Sequence, residues 1–429
     1  MTVAVSTSEA APPRPPLGPL HSDNITRGDQ LWQLGRTEAA LAAYRDELDS
    51  EVGDHFTRGF AHKRIVSLLV ATEGIDRAFS EYRLARVDDR DLSIEPHEIL
   101  CCATVRDEAD RLEFFLDYYE RLGVDRFLLI DNESRDETRE LLLDRPNTHL
   151  WRSDMHYARA NYGMAWVEVV LRAYGRAHWC LVVDADELLY YPDVETRSLR
   201  DLCASLDERG AVALPTVLLD MYSGGPLREA MRHPGSSPLD VCRFFDRDFS
   251  HSHQARATPW ENIDGFSGGV RRRVFGENTD VFLSKVPLVR YADDRILFAG
   301  MHGTNAPRDK VSWERGALLH FKFTARFVER LEEEIHVAGR ATPDVRHAPR
   351  GRAPAAFAGV VARRRRTRPS AHRATSARAH APLSRVLAGR GGRGTRSRRT
   401  RCPLERRRPC GANRRCRGRH RPRGRRRRG

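Results

Sequence analysis

Two acids, Asp184 and Asp186, stand one residue apart directly after the apolar run Trp179-Cys180-Leu181-Val182-Val183. In an extended segment, residues two apart point the same way. Both carboxylates can then face one cation while Ala185 turns into the protein. Hard divalent cations such as Mg²⁺ and Mn²⁺ take oxygen ligands, often shared between one or two carboxylates and substrate phosphates. The pair alone is a common accident of sequence, but its place at the mouth of a buried strand makes it a candidate metal site. Two further apolar runs end in polar residues. EILCCATV (98–105) leads into Arg106, Asp107 and Glu108, and RFLLID (126–131) ends in Asp131, followed by Asn132, Ser134 and Asp136. Ligands of open parallel sheets bind outside the carboxyl ends of the strands. Three strand ends far apart in sequence therefore point to one rim.

Alternating strands and helices must bring these ends together. The segment ADRLEFFLDYYERLG (109–123) carries Leu112, Phe115, Leu116, Tyr119 and Leu122 at helical spacing. Asp110 with Glu113 reads as a capping-box start, and Gly123 as the stop. Ser134 with Glu137 caps a second helix that Pro146 ends; residues 147–151 form a third strand. A helix over 160–174 aligns Met164, Val167, Leu171 and Tyr174, and 179–184 is the fourth strand. The pattern predicts an α/β domain over 94–340, with a mostly parallel sheet flanked by helices. Later in it, PLDVCRFFD (238–246), GGVRRRVFG (268–276), KVPLVRY (285–291) and GALLHFKF (316–323) read as strands or extended segments. Residues 323–336 read as a closing helix.

Ahead of this domain, residues 1–25 read as a disordered leader without the basic and apolar regions of a secretory signal. Residues 26–93 read as helical. LWQLGRTEAALAAYRDEL (31–48) and LLVATEGIDRAFSEYRLARV (68–87) share a glycine, small apolar residues, an aromatic and an arginine. They resemble two degenerate tetratricopeptide-like hairpins, either a cap on the next domain or a surface for a protein partner. Cys101, Cys102, Cys180 and Cys203 lie in or beside apolar runs, which suits reduced, buried thiols. No run reaches the roughly 18 apolar residues of a spanning helix, and a cytoplasmic protein is expected.

The net charge of +14 would suggest a nucleic-acid binder, but it divides unevenly. Residues 341–429 hold 30 arginines and two acids, whereas 1–340 hold 43 basic and 57 acidic residues. The acidic body and basic tail are separate problems. The tail cannot bury a core and reads as disordered. Cys402, Cys410, Cys416 and His420 have a spacing that could close a zinc site, but no aromatic follows Phe357 to stack a base. Arg, Ala, Gly and Pro are also what GC-rich codons yield out of frame, so a frameshift origin beyond about 340 explains the tail more simply. Nucleic acid is therefore not the expected partner. The alternative keeps the tail as an RNA- or polyanion-binding device on a catalytically idle body.

The segment TVRDEADRLEFFLDYYERLGVDRFLLIDNESRDET, followed by WCLVVDADELLYY, resembles the family 2-type glycosyltransferases of the GT-A fold. It is most similar to a bacterial subgroup with Arg-Asn-Glu after the first strand and Asp-Asn-x-Ser-x-Asp after the second. GGVRRRVFG, SKVPLVRY and ALLHFKF extend the likeness over 95–340, while Asp107 departs from the subgroup's asparagine. The resemblance implies a metal-dependent, hexosyltransferase-like enzyme that moves a sugar from a nucleotide-sugar donor to an unidentified acceptor, with inversion. It implies that Arg106, Asp107 and Glu108 border the nucleotide and that Asp131 accepts from its base or ribose. Asp184 and Asp186 would hold Mn²⁺ or Mg²⁺ beside the nucleotide diphosphate, with a distal histidine completing the shell. His320 is the first choice and His302 the second. Inverting transfer needs a carboxylate base, for which Asp220, Glu261 and Asp264 all lie after the acid pair; the sequence does not choose among them. A haloacid-dehalogenase-type phosphatase also uses two spaced aspartates, but on its first strand, and here two strand–helix units come before.

Overall fold

The apolar runs line up side by side in the computed structural model of the protein. It describes residues 22–50, 55–231, 233, 235–247, 249–252, 264–275, 282–330 and 332, all within the unit spanning residues 1–388. The leader before residue 22, the tail beyond 332 with its cysteine–histidine spacing, and residues 253–263 lie outside the described residues.

One sheet organises the chain. Its strands are β1 (Ala85–Arg86), β2 (Leu100–Val105), β3 (Arg126–Asp131), β4 (Thr148–Arg152), β5 (Trp179–Val182), β6 (Glu187–Tyr190), β7 (Ala213–Asp220), and the later members numbered β10 (Ser284–Arg290) and β11 (Gly316–His320). Between them come β8 (Phe249–Ser252) and β9 (Gly265–Gly268), a separate antiparallel pair. The sheet order is β1-β4-β3-β2-β5-β10-β7-β11-β6. Strands β2, β3, β4, β5, β7 and β11 run one way, and β1, β6 and β10 run the other. The sheet is thus mixed but mostly parallel in direction. Its consequence is geometric: five strand ends carrying Val105, Asp131, Val182, Asp220 and His320 share one rim. The reversed strands β6 and β10 bring Glu187 and Lys285 to it from their starts.

Side-chain alternation splits the core into two layers. Cys101, Ala103 and Val105 of β2 and Phe127 and Leu129 of β3 face α5 (Ala109–Leu122) and its neighbours α6 (Thr138–Leu143) and α8 (Leu199–Glu208). Leu100, Cys102, Leu128 and Ile130 face the other way, towards α7 (Met164–Tyr174). All five apolar positions expected on one face of α5 are buried, and Gly123 ends that helix at φ 105°. The cysteines Cys101, Cys102, Cys180 and Cys203 are buried and free, and burial pushes each thiol up. Among the described residues, no helix is long and apolar enough to cross a membrane.

The N-terminal segment forms α1 (Asp23–Gln33), α2 (Thr37–Asp49), α3 (His55–Thr72) and α4 (Ile75–Glu81), two helical hairpins turning near Gly35 and Gly74. They share a core with the sheet: Ile25, Leu41, Tyr44, Leu69 and Tyr82 join Leu128, Trp151 and Trp166. This explains α7, in which every residue from Met164 to Leu171 is buried although the sequence suggests a single apolar face. A buried ion pair crosses the seam. Lys63 Nζ lies 2.6 Å from Glu168 Oε1, with side chains 5% and 7% exposed, and Tyr291 donates its hydroxyl to the same oxygen at 2.8 Å.

Three local expectations fail for physical reasons. GGVRRRVFG is not a strand: Gly269–Phe275 is a helix, α10, in which Val270 and Val274 are four apart while three arginines reach different acids and hydroxyls. PLDVCRFFD opens with a short helix, α9 (Pro238–Val241), behind a Ser237 cap and an N-terminal proline. Neither expected capping box forms. Helix α5 begins at Ala109 after Glu108. Its first amides are served from the loop after β3, where Thr138 Oγ1 accepts from Glu108 N at 2.8 Å and Asp136 Oδ2 from Ala109 N at 3.1 Å. The two site-bearing loops are therefore tied to each other.

Breaking the seam ion pair tests whether the helices belong to the sheet's folding unit. Lys63→Ala leaves Glu168 buried without its counter-charge and should cost about 3–5 kcal/mol in one cooperative urea transition. The double change Lys63→Met, Glu168→Leu should recover most of it. Two transitions, with the loss confined to the first, would show that the helices unfold alone.

Candidate active site

The rim gathers acids and bases in alternation. His320 ends β11 between Asp220 of β7 and Glu187 of β6, directly opposite each in register. Its Nδ1 lies 2.6 Å from Asp220 Oδ1, where the ring N–H donates to the carboxylate. The same carboxylate takes two bonds from Arg271 of α10, at 2.6 and 2.9 Å. Burial alone would raise the Asp220 pKa, but His320 and Arg271 hold it well below the carboxylate range. With Nδ1 occupied, His320 turns Nε2 towards Asp186 Oδ2, 3.5 Å away.

The acid pair lies in a turn just past β5 rather than on an extended strand. Glu187 N donates back to Asp184 O at 3.0 Å, and Phe321 N donates to Asp186 O at 2.8 Å. Asp184 is half exposed and sits 3.6 Å from Lys285 Nζ. Lys285 also forms a short ion pair with the buried Glu187. Burial alone would lower the Lys285 pKa, but Glu187 and Asp184 outweigh it and raise it, keeping the ammonium charged. Asp186 Oδ2 has Arg111 Nη1 at 3.5 Å. Arg111 in turn holds Glu108 at 2.9 Å, and Arg330 reaches the other Glu108 oxygen at 3.2 Å.

The structure distributes the remaining sequence candidates differently. Asp131 is fully buried and spends both oxygens internally, one on Ser134 N at 2.9 Å and one on Arg139 at 2.7 Å. Both oxygens are engaged inside the fold, and the side chain is closed to solvent. Asp107 adopts φ 53°, a conformation that Asp and Asn tolerate better than most residues. It receives Arg135 N at 2.7 Å, while Arg106 is exposed and lends its carbonyl to Arg330 at 3.2 Å. Asp220, a candidate base, is committed to Arg271 and His320 and instead orients the histidine. Asp264 pairs with Arg315 and lines a cavity of about 230 Å³ with Thr216, Phe266, Arg308 and Trp313; Asp184, Asp186 and His320 do not line it. Glu261 lies outside the described residues. His302 bonds the Ser284 carbonyl through Nδ1 at 2.8 Å, and burial with the charge of Lys285 pushes it down to about 4.

Sequence reasoning missed Arg111, Arg271, Lys285 and Arg330. Lys285 carried a signal: it is one of only four lysines in the chain and stands directly before the apolar run Val286-Pro287-Leu288-Val289. The arginines carried none, since 69 arginines make any one of them unremarked.

Asp186 and His320 fit two neighbouring positions on a divalent ion. Ligands at right angles with bonds of about 2.1 Å sit roughly 3 Å apart, close to the 3.5 Å separation here. A histidine whose other nitrogen donates to a buried carboxylate is the usual arrangement behind a metal ligand. Among the described residues, no group of three or more His, Cys, Asp or Glu could hold a metal. Asp186 and His320 alone would leave most of an ion's shell to other donors.

Asp220→Asn should destabilise the protein at neutral pH by about 2–4 kcal/mol, because Arg271 loses its buried counter-charge. Since the folded carboxyl is held low, this contribution is present above the unfolded value of about 3.9 and is lost as the pH falls towards the folded value. Wild type and variant should converge in chemical-denaturation stability as the pH drops below about 4. A gap independent of pH would remove the charge from the explanation.

No family model matches the chain. A glycosyltransferase family 92 protein of Ricinus communis is 28% identical over 104 residues, covering 23% of this chain and 18% of that protein. Another family 92 protein, from Oryza sativa subsp. japonica, is 25% identical over 135 residues, covering 28% of this chain and 23% of that protein. The chain thus spans about a fifth of the length of the curated relatives it matches. Among solved structures, a 4-diphosphocytidyl-2C-methyl-D-erythritol synthase is similar at 14% identity and a TM-score of 0.24, covering 48% of this chain and 77% of that one.

Proposed function

We propose that this protein is a glycosyltransferase that moves a sugar from a nucleotide-sugar donor to an acceptor hydroxyl at the Asp184–Asp186 rim. The observation that carries the reading is His320, locked by Asp220 through Nδ1 and turned by Nε2 towards Asp186. The partial matches to proteins named as glycosyltransferases agree with it. Asp186 and His320 would hold Mn²⁺ or Mg²⁺, which supplies positive charge to a departing nucleoside diphosphate.

The protein's own residues do the rest. Asp184, half exposed and loosely held by Lys285, is available to hydroxyls of the donor. Arg111 and Lys285 neutralise the acids behind the rim, so an anionic donor meets a balanced surface instead of bare carboxylates. Arg106 is an exposed cation just past the end of β2 and would border the nucleotide. In this reading Asp220, with both oxygens bonded by Arg271 and His320, supports His320 rather than serving as the base.

Calorimetric titration of UDP-glucose, UDP-galactose, UDP-N-acetylglucosamine and GDP-mannose, with and without Mn²⁺, tests the reading. At least one donor should bind the wild type in a metal-dependent way, and Asp186→Ala and His320→Ala should each weaken it at least tenfold, about 1.4 kcal/mol. Equal binding by wild type and Asp186→Ala, with or without metal, would remove the mechanism.

A further inference from the structure

The loop between β4 and α7 is held in a costly shape beside the rim. Asn161 and Tyr162 have φ of 50° and 56°, and Gly163 follows at 83°. Non-glycine residues in this region persist only where their surroundings over-determine them, and here they do. Asn132 Nδ2 donates to the carbonyls of Ser153 and Met155 at 3.0 and 3.1 Å. Tyr162 N donates to Tyr157 O at 3.0 Å. A Cβ on Gly163 would meet Thr104 Oγ1 at 2.6 Å and the Tyr157 ring at 3.2 Å, so no other residue fits.

The shape presents two tyrosines, Tyr157 and Tyr162. The Tyr157 ring stands edge-on to Tyr162 with centroids 5.8 Å apart and lies 6.3 Å from Trp166, yet the residue is 41% exposed. Its hydroxyl has no hydrogen-bond partner among the described residues. Burial, then the charges of Asp184, Asp186, Glu187 and Glu108, push the phenol up, so it stays protonated. Gly163 sits between this ring and Thr104, the last residue but one of β2, so the hydroxyl is a neutral, unspent donor beside the rim. A diphosphate entering this rim brings more negative charge to acids already in place. A phenol can meet it with a short, charge-assisted bond and without stripping water from another ion.

We propose that the Tyr157 hydroxyl donates a hydrogen bond to the outer phosphate of the donor's diphosphate, the one bonded to the sugar. The inference rests on the glycosyltransferase reading and adds a leaving-group contact from the β4–α7 loop. No bond is made or broken by Tyr157 itself: its proton stays on the oxygen and stabilises charge as the sugar–phosphate bond opens.

The test is calorimetry of UDP, GDP, CDP and ADP in Mn²⁺, with the matching monophosphates, on wild type and Tyr157→Phe. The variant keeps the ring and its packing. Losing one bond to a charged oxygen should weaken diphosphate binding about ten- to a hundredfold and leave monophosphate binding within about twofold. Tyr162→Phe should bind as wild type. Equal diphosphate affinity in Tyr157→Phe and wild type would overturn the inference alone. Equal losses for mono- and diphosphates would put the hydroxyl on another part of the nucleotide and also overturn it. A wild type that binds none of the diphosphates would sink the underlying reading, and this contact with it.

Discussion

Glu108, Asp184, Asp186, Glu187 and Asp220 crowd one rim, and Arg111, Lys285, Arg271 and Arg330 interleave with them. Two like charges 4 Å apart repel by about 4 kcal/mol at an effective dielectric of ~20. The acids could not share the rim without those cations. Each cation also comes from an element of its own: α5, the start of β10, α10 and the closing helix at 325–330. The rim is thus where four separate parts of the fold are tied together, and the order of the site is the order of these pairs. A buried pair stabilises little in total but is costly to break one-sidedly, which makes it a good device for fixing geometry.

The layers behind the rim explain why the geometry holds. Helices α3 and α4 cover α7 on its outer side and α1 and α2 back α3, so α7 is clamped between the sheet and the N-terminal hairpins. Helix α3 lies beneath the loop leading into α7 and the loop after β10. Gly59 faces Phe298 and Asn161, where a Cβ would make ordinary contact at 3.6 and 3.7 Å. The strained residues Asn161 and Tyr162 on one loop, and Met301 at φ 59° on the other, both sit against this support. Strain of this kind needs a rigid frame. The helical segment therefore has a mechanical task whether or not it also meets a partner.

Much of the scaffold was legible because its signals are local. The run RFLLID gives β3 residue for residue, Gly123 ends α5, and the apolar runs and helical periodicity of 98–131 predict which side chains are buried. What the sequence hides is pairing at a distance. Asp220 and Arg271 are separated by 51 residues, Glu108 and Arg330 by 222, and nothing in either segment announces the other. Asp131 looks like a ligand for the same reason: an acid at a strand end reads as available until Arg139, a turn further on, is seen to hold it. The helical α10 was hidden by its glycines and its three arginines, which have no apolar stripe to reveal a period.

Lysine 285 shows how a local irregularity can serve a distant partner. Strand β10 lies inside the sheet yet contains Pro287, which cannot donate to a ladder and is normally confined to edges and bulges. The register with β7 shifts between Lys285 and Leu288, so the proline falls within a bulge. Bulges bend a strand and re-aim the side chains beside them. The one re-aimed here is the ammonium between Glu187 and Asp184. In a chain with so many arginines, a lysine at this point is informative. The gap between two carboxylates at the head of a strand suits a compact point charge with three donors, where a planar guanidinium would demand a fork-shaped space. The other buried lysine, Lys63, occupies the same kind of niche between Glu168 and Tyr291. Where this protein buries a lysine, it does so to neutralise a carboxylate inside a seam.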